Sequence, residues 1–175
     1  MKKENGKTLT VLVITIIVLV IISGITINEG MESIQRSELE NLKTNMLLIK
    51  AKGKEYAENS NFKLGTNIEK VSKQDKTKRI ETAEKELVGE KIIDYNILNK
   101  LNVDINNIPE YTYYYKLTED NLNSIGLGNI KLENEEIYII KYNIKDVSIE
   151  IYNTNGFEYE GNIYYSLTDL EKLEI

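Results

Sequence analysis

A run of 21 residues without a charged side chain, Thr8 to Asn28, constrains this chain more than any other stretch. Its centre, Thr10 to Ile22, is almost unbroken Val, Ile and Leu. As a helix rising about 1.5 Å per residue, the run would reach roughly 30 Å, the thickness of the hydrocarbon core of a bilayer. β-Branched residues also suit a buried strand, but strands rarely exceed about 10 residues. The length therefore predicts a membrane helix, whose Ile, Leu and Val residues favour insertion by roughly 5 kcal/mol in total.

The charges on either side of this run predict its orientation. The first seven residues, MKKENGK, carry three Lys and one Glu, whereas Glu29 and Glu32 follow the run. Positive flanks stay in the cytoplasm, so the rest of the chain is expected outside the cell membrane. The alternative is a cleaved secretory signal, whose apolar core usually has 7 to 15 residues and ends at a small-x-small site. Ser23, Gly24 and Ile25 fit that pattern poorly.

The N-terminus combines a short basic leader that ends in Gly6 with an apolar helix that begins almost at once. The end of the leader and the start of the helix together read KENGKTL, from Lys3 to Leu9. This N-terminus resembles those of type IV pilins and type II secretion pseudopilins, most of all the prepilin-like proteins of low-GC Gram-positive bacteria. The resemblance implies that a prepilin peptidase cuts after Gly6 and that the new first residue, Lys7, is N-methylated. It also implies that the apolar helix packs against membrane lipid and other pilin-like subunits through Leu9, Val11, Leu12, Ile14, Ile16, Ile17, Leu19, Ile21 and Ile22.

One position departs from the pattern of that family. Its members usually carry a Glu at the fifth mature position, where the carboxylate is thought to pair with the amino terminus of a neighbouring subunit. Here that position is Val11. A carboxylate in hydrocarbon costs a few kcal/mol unless it is paired, so its presence would signal a partner. With Val11 in its place, the resemblance leaves open whether the chain is a major or a minor subunit.

Composition removes most enzyme classes. The chain has no His and no Cys, so it lacks the usual general base, the usual metal ligand and a thiolate nucleophile. Carboxylate-only catalysis is conceivable, but the sequence pairs no two carboxylates recognisably. Without residues 1–7, the chain has 19 basic and 27 acidic residues, and this net charge of −8 disfavours nucleic acid as a partner. We therefore expect no enzyme, no cofactor and no metal site.

After the anchor, the helical pattern continues but becomes amphipathic. Apolar or small residues recur at alternating spacings of three and four, with charged residues between them. This stripe consists of Leu39, Leu42, Met46, Ile49, Gly53 and Tyr56. Together the two halves predict one helix of about 50 residues, whose rear half packs on a domain. The turn formers of Asn59 to Asn67 should end it.

The next segment predicts a variable, partly helical connection. Lys70, Lys73, Lys76, Lys78 and Arg79 form a basic cluster, but no aromatic residue is interleaved for stacking on bases. A solvated helix or linker is therefore the preferred interpretation of this cluster. Residues 92–101 predict a short helix that packs Ile93, Ile97 and Leu101 inward, and Pro109 closes the connection.

From Tyr111 the pattern is that of strands. YTYYYKL is followed by a short helix that Thr118 caps and Gly126 ends. Residues 137–144 and 147–152 predict a hairpin joined at Lys145 and Asp146. Asn155-Gly156 predicts another turn before a new strand, and Gly161-Asn162 a further one. At the end, Thr168 and Glu171 predict a capping box for a last helical turn. The twelve tyrosines of the chain are interpreted mainly as half-buried rows of the sheet.

These patterns together predict an α+β protein in which a long N-terminal α-helix, transmembrane in front and amphipathic behind, packs on a small antiparallel meander of three or four strands. The expected divisions are a leader at 1–6, a membrane half-helix at 7–28 and its amphipathic continuation at 29–60. A connection at 61–110 and the sheet region at 111–175 follow. The expected function is that of a structural subunit of a type IV pilus or type II secretion-like filament, at the cell membrane or on the cell surface. The alternatives are a monomeric, single-pass membrane-anchored domain that binds a partner outside the cell, and a secreted enzyme released by signal cleavage.

Overall fold

A single helix, α1, occupies the first third of the chain. The computed structural model describes residues 4–133 and 136–173, with side chains from Ser33 onward. Helix α1 runs from Glu4 to Leu64 and so ends within the predicted turn-rich stretch. The N–H of Gly65 then bonds to the carbonyl of Asn61 at 3.0 Å, and its φ of +74° closes the helix. The chain divides between Glu40 and Asn41 into two units, and the sheet lies wholly in the second unit.

The apolar stripe predicted on the rear half of α1 is confirmed. Met46, Ile49 and Gly53 are buried, and Leu39 is buried as well, whereas Leu42 and Tyr56 are partly buried. The stripe continues through Ala57, Ser60 and Leu64, all of them buried. Because this face carries almost only apolar or small side chains, its part from Met46 to Leu64 supplies one side of the core of the second unit.

The connection after α1 is helical and largely solvated, as expected for its basic cluster. Helix α2 spans Lys73–Glu84, and Ser72 caps it by accepting a hydrogen bond from the N–H of Asp75 at 3.2 Å. A 3₁₀ helix at Ile68–Lys70 precedes α2, and another at Ile105–Asn107 lies near the end of the connection. Ser60 joins α1 to α2, since its hydroxyl donates to the carbonyl of Ala83 at 2.8 Å.

The predicted helix over residues 92–101 is largely wrong. Only α3, at Asn96–Asn99, is helical, and Ile93 is 87% exposed rather than packed inward. Ile92 directly follows a short strand, and its N–H bonds to the carbonyl of Tyr114 at 2.8 Å. Its side chain is buried, whereas that of Ile93 is exposed. The inward packing predicted for Leu101 is confirmed, and Ile97 is partly buried against the same cluster, which also contains Leu98.

The described residues form a five-stranded antiparallel sheet in which every strand pairs with its neighbour in sequence. The strands are β1 (Glu90–Lys91), β2 (Thr112–Leu117), β3 (Tyr138–Asn143), β4 (Ser148–Tyr159) and β5 (Asn162–Ser166). The predicted hairpin of β3 and β4 is confirmed, with Ile140 opposite Ile151 and Tyr142 opposite Ile149. Strand β1 was not predicted, since two exposed residues carry no alternation to recognise.

The turn predicted at Asn155-Gly156 is wrong. Strand β4 continues through both residues, and its pairing with β5 shifts register between Tyr152 and Phe157. The side chain of Asn153 accepts hydrogen bonds from the N–H groups of Asn155 at 2.9 Å and Gly156 at 3.0 Å. The Asn-Gly pair therefore forms a bulge within one strand rather than a hairpin. The turn at Gly161 is confirmed and joins β4 to β5.

Both faces of the sheet are covered within the second unit. On one face, the side chains of Ile140, Tyr142 and Ile149 lie against α1 at Gly53. On the other face, residues from the connection pack with residues from β2, β3 and β4. This second core consists of Ile92, Leu98, Leu101, Tyr114, Ile139 and Tyr152. The expectation that α1 covers one face is confirmed, and the connection covers part of the other.

Two short helices follow strands β2 and β5. Helix α4 (Glu119–Ser124) has the predicted cap at Thr118, which forms a capping box with Asn121. Helix α5 (Leu167–Leu170) is capped by Ser166 rather than by Thr168, since the N–H of Asp169 donates to the Ser166 hydroxyl at 3.1 Å. This earlier start places both Leu167 and Leu170 in the core.

Candidate functional site

The residues predicted to act in processing and assembly lie in the first part of α1. Gly6, Lys7 and the apolar positions from Leu9 to Ile22 fall outside the residues whose side chains the structure describes. Within the part described with side chains, from Ser33 onward, no helix is both long and apolar enough to cross a membrane. The predicted membrane helix, Thr8 to Asn28, lies before that part.

The second unit exposes apolar side chains on the outer face of α1. Leu47 is 46% exposed, Leu48 is 39% exposed, and Phe62, farther along the helix, is 81% exposed. Thr44 and Ala51 lie on the same face and are exposed as well. Single exposed apolar residues are ordinary on a protein surface, but adjacent ones reduce the cost of burying that face against another molecule.

A second feature is a group of charged residues around the ring of Tyr111, here called the Tyr111 cluster: Glu69, Lys76, Glu110, Tyr111 and Lys145. Glu69 accepts hydrogen bonds from Lys145 Nζ at 2.8 Å, Lys76 Nζ at 2.9 Å and the Tyr111 hydroxyl at 2.9 Å. Lys76 also bonds to Glu110 at 2.8 Å. Both ammonium groups lie over the Tyr111 ring, 5.1 and 5.2 Å from its centre.

The electrostatics of this cluster follow from its contacts. Hydrogen bonds from Lys145, and then from Lys76 and Tyr111, lower the pKa of Glu69 to about 2. Hydrogen bonds to Glu110, Tyr111 and Glu69 raise the pKa of Lys76 above its ordinary range. Burial raises the pKa of the Tyr111 hydroxyl. Glu69 and Lys76 are therefore charged at neutral pH and the Tyr111 hydroxyl is neutral, so the cluster serves to join α2 and the β3–β4 turn rather than to transfer protons.

A third feature, here called the sheet-face cavity, has a volume of about 580 Å³ and lies wholly in the second unit. Strands β3, β4 and β5, helix α5 and the loop at Leu101 and Asn102 line it. Three tyrosines contribute to the lining, and burial raises the pKa of one of them, Tyr152, above its ordinary range. The cavity size is typical of a small-molecule site.

The charged groups in the sheet-face cavity differ in whether other residues form hydrogen bonds or ion pairs with them. Glu150 accepts hydrogen bonds from the N–H of Thr168, at 3.0 Å, and from the Thr168 hydroxyl. Asp169 accepts from the Ser166 hydroxyl and from Lys172 Nζ, each at 2.8 Å. Lys141 is the cross-strand partner of Glu150, yet its ammonium makes no hydrogen bond or ion pair with any residue that the structure describes.

Among the described residues, no group of three or more Asp or Glu side chains is arranged to hold a metal ion. Glu158, Glu160 and Asn162, which the sequence places close together, belong to the end of β4, the turn and the start of β5.

Sequence reasoning missed the sheet-face cavity because its lining residues are distant in sequence. Lys141, Asn102 and Tyr164 belong to three separate segments, two of them strands of the sheet and one a loop, and only the tertiary fold brings them together. The frequency of tyrosine is the available signal, and it predicts half-buried rows of the sheet. Tyr114, Tyr138 and Tyr142 do lie in the sheet, but they are fully buried rather than half-buried. No protein-family model, no curated protein and no solved structure matches this chain.

Proposed function

We propose that the chain is a pilin-like structural subunit of a type IV pilus or type II secretion-like filament. Its N-terminus remains on the cytoplasmic side until a prepilin peptidase cuts after Gly6, and Lys7 becomes the methylated first residue. The apolar helix from Leu9 to Ile22 first lies in membrane lipid and then packs against the same helix of neighbouring subunits. The region from Asn41 onward is held outside the membrane.

The observation that carries this proposal is the sequence of the first 28 residues. A basic leader ends in Gly6, and 21 uncharged residues begin two positions later. A helix of that length and composition is stable in hydrocarbon or among other apolar helices, and not in water. The proposal also draws support from the continuity of α1 to Leu64, since one helix can then join an apolar assembly segment to a folded unit.

The absence of His and Cys agrees with a structural rather than a catalytic role. A filament subunit needs a folded surface and an assembly helix, and it needs no nucleophile or general base. Val11 at the fifth mature position removes the carboxylate that would pair with a neighbouring amino terminus. Assembly would then depend on apolar packing of the helix.

Mass spectrometry of the mature N-terminus tests the proposal directly. The full-length chain is produced together with a prepilin peptidase, and we expect a protein that begins at Lys7 and carries an added methyl group. Replacing Gly6 with Phe should leave the leader uncut, because a bulky residue blocks the cleavage site. The matched control, Asn5→Gln, changes a neighbouring residue and should be processed normally.

Three other results would contradict the proposal. A protein that begins at Met1 would indicate a monomeric, membrane-anchored domain. A protein that begins near Thr26 would indicate signal cleavage and release. Normal processing of Gly6→Phe would exclude recognition of the leader by a prepilin peptidase.

A further inference from the structure

We propose that the sheet-face cavity binds a saccharide that carries one carboxylate group. This site is separate from the N-terminal helix, and nothing in the assembly of a filament requires it. The inference rests on three properties of the cavity: an ammonium group that makes no hydrogen bond or ion pair with the described residues, aromatic rings, and amide groups at its edge.

The charges of the cavity favour an anionic ligand of low charge. Glu150 accepts a hydrogen bond from Thr168, and Asp169 accepts hydrogen bonds from Ser166 and Lys172. Lys141 is partly buried and makes no hydrogen bond or ion pair with the described residues. A ligand carboxylate would complete the hydrogen bonds of this ammonium group. A polyanion would instead be repelled by the two carboxylates of the same lining.

The remaining lining favours a ring with polar edges and apolar faces. Tyr164 and Tyr165, which are partly buried, contribute aromatic surface together with hydroxyl groups, whereas Tyr152 in the same lining is almost fully buried. Asn102 and Asn162 are exposed at the lining and provide amide groups. A purely apolar ligand would bury these polar groups without partners, at a cost for each group. A sugar ring has hydroxyl groups at its edge and C–H groups on its faces, so it matches both kinds of lining.

The size of the cavity limits the ligand to a short saccharide. Sites for small molecules typically have volumes of about 300 to 1,000 Å³. At about 580 Å³, the sheet-face cavity has room for one or two sugar rings. The ligand class is therefore a mono- or disaccharide unit with a single carboxylate, either free or within a longer glycan.

Isothermal titration calorimetry of the full-length chain, purified in detergent, tests this inference with two matched pairs of sugars. Cellobiouronic acid is compared with cellobiose, and N-acetylmuramic acid with N-acetylglucosamine. Cellobiouronic acid has a carboxylate in place of one hydroxymethyl group of cellobiose, and N-acetylmuramic acid carries its carboxylate on a lactyl ether that N-acetylglucosamine lacks. We expect at least one acidic sugar to bind about tenfold or more tightly than its neutral counterpart, as one charge-assisted hydrogen bond would provide.

Two variants identify the site. Lys141→Met keeps the aliphatic stem and removes the charge, so the preference for the acidic sugar should disappear while the neutral sugar binds as before. Tyr164→Ala should weaken both members of the pair. Lys131→Met, which removes an exposed lysine outside the cavity, should change neither. Circular dichroism of each variant verifies that the fold is retained.

The inference is overturned if neither acidic sugar binds in preference to its neutral counterpart. It is also overturned if folded Lys141→Met keeps the preference, since the carboxylate would then lie elsewhere. If Lys131→Met loses the preference for the acidic sugar to the same extent as Lys141→Met, the preference is a nonspecific effect of surface charge. That result would also overturn the inference.

Discussion

At Gly53 the backbone of α1 lies directly against the sheet. A Cβ atom added there would be 2.3 Å from Ile140 Cδ1, and Ile140 is fully buried. Ile149 and Tyr142 lie within 3.6 Å of the same point, so Ile140 has little room to move. Glycine costs about 1 kcal/mol in a helix relative to alanine, and this close approach explains its presence.

We therefore predict that Gly53→Leu lowers the free energy of unfolding by about 2 kcal/mol or more, as overpacking of a core does. Thermal unfolding of the full-length chain, followed by near-UV circular dichroism of the tyrosines, measures the change. Ala51→Leu adds the same side chain two residues away on the exposed face and should alter stability by no more than about 0.5 kcal/mol. Equal effects of the two substitutions would contradict the close approach.

The carboxylate of Glu69 makes the stability of the fold depend on pH in the acidic range. Its pKa is lowered from 4.5 to about 2 by the hydrogen bonds from Lys145, Lys76 and Tyr111. A group whose pKa is lower in the folded state stabilises the fold above its unfolded pKa, and that contribution is lost as the pH falls toward the folded pKa. The stability that Glu69 contributes is therefore lost as the pH falls from 4.5 to about 2. The carboxylate is about half exposed, so the contribution is modest and weakens with salt.

The test compares unfolding temperatures of the wild type and Glu69→Gln across this window. We predict that the variant is less stable at pH 7 and that the two curves converge between pH 4.5 and pH 2. Glu81→Gln, an exposed residue on the same helical connection, provides the control and should follow the wild type. A gap between the wild type and Glu69→Gln that stays constant down to pH 2 would exclude this role for the carboxylate.

Among the elements, the ribbon of β4 and β5 depends on two glycines for different reasons. Gly156 has φ of +66°, and a Cβ there would lie 2.6 Å from Ile163 Cγ2 and 3.0 Å from the carbonyl oxygen of Tyr164. Gly161 has φ of +76°, but a Cβ there would meet no atom within 4 Å. Gly161 therefore relieves backbone strain alone, whereas Gly156 relieves strain and a collision with β5.

We predict that Gly161→Ala costs about 1 kcal/mol, the typical penalty for a left-handed non-glycine residue. Gly156→Ala should cost roughly 1 to 3 kcal/mol more, because β5 must also move. Thermal unfolding of both variants gives the difference. Similar losses in the two variants would mean that the bulge can open without disturbing β5.

The same ribbon shows where sequence patterns predict an element and where they do not. Alternation along β4 supported the predicted β3–β4 pairing, because Ile149 and Ile151 point to the face of the sheet that α1 covers. The Asn-Gly pair at residues 155 and 156 looked like a hairpin turn, since a bulge and a turn both require a positive φ at glycine. The end of the chain contains two overlapping cap patterns, Ser166 with Asp169 and Thr168 with Glu171. Burial of Leu167 and Leu170, which is a tertiary effect, selects the first.

On the scale of the whole molecule, local patterns identified the long helix and the sheet but not the cavity. The periodicity of α1 depends only on neighbouring residues, and so it can be read along the chain. The sheet-face cavity requires β3, β4, β5, α5 and a loop more than 30 residues before β3 to meet. The register of the strands determines which of their side chains line the cavity. The residues next to Lys141 in the sequence do not indicate the binding role proposed for it.

The proposed orientation of the molecule leads to the last prediction. Three Lys precede the apolar run, whereas Glu29 and Glu32 follow it, so the N-terminus should stay in the cytoplasm and the region from Asn41 onward should lie outside. The chain has no cysteine, and a single introduced cysteine is therefore its only reactive thiol. Lys85 is exposed just after α2, so Lys85→Cys places such a thiol on the surface of the second unit.

We predict that a membrane-impermeant maleimide labels Lys85→Cys on intact cells. Ser60→Cys tests whether the labelled protein is folded, because Ser60 is fully buried and its thiol should react only after denaturation. Labelling of Lys85→Cys that occurs only after lysis would place the second unit in the cytoplasm, where it could not be the external part of a filament subunit. Labelling of Ser60→Cys on intact cells would instead show that the chain had unfolded, and the orientation would then have to be measured at a lower expression level.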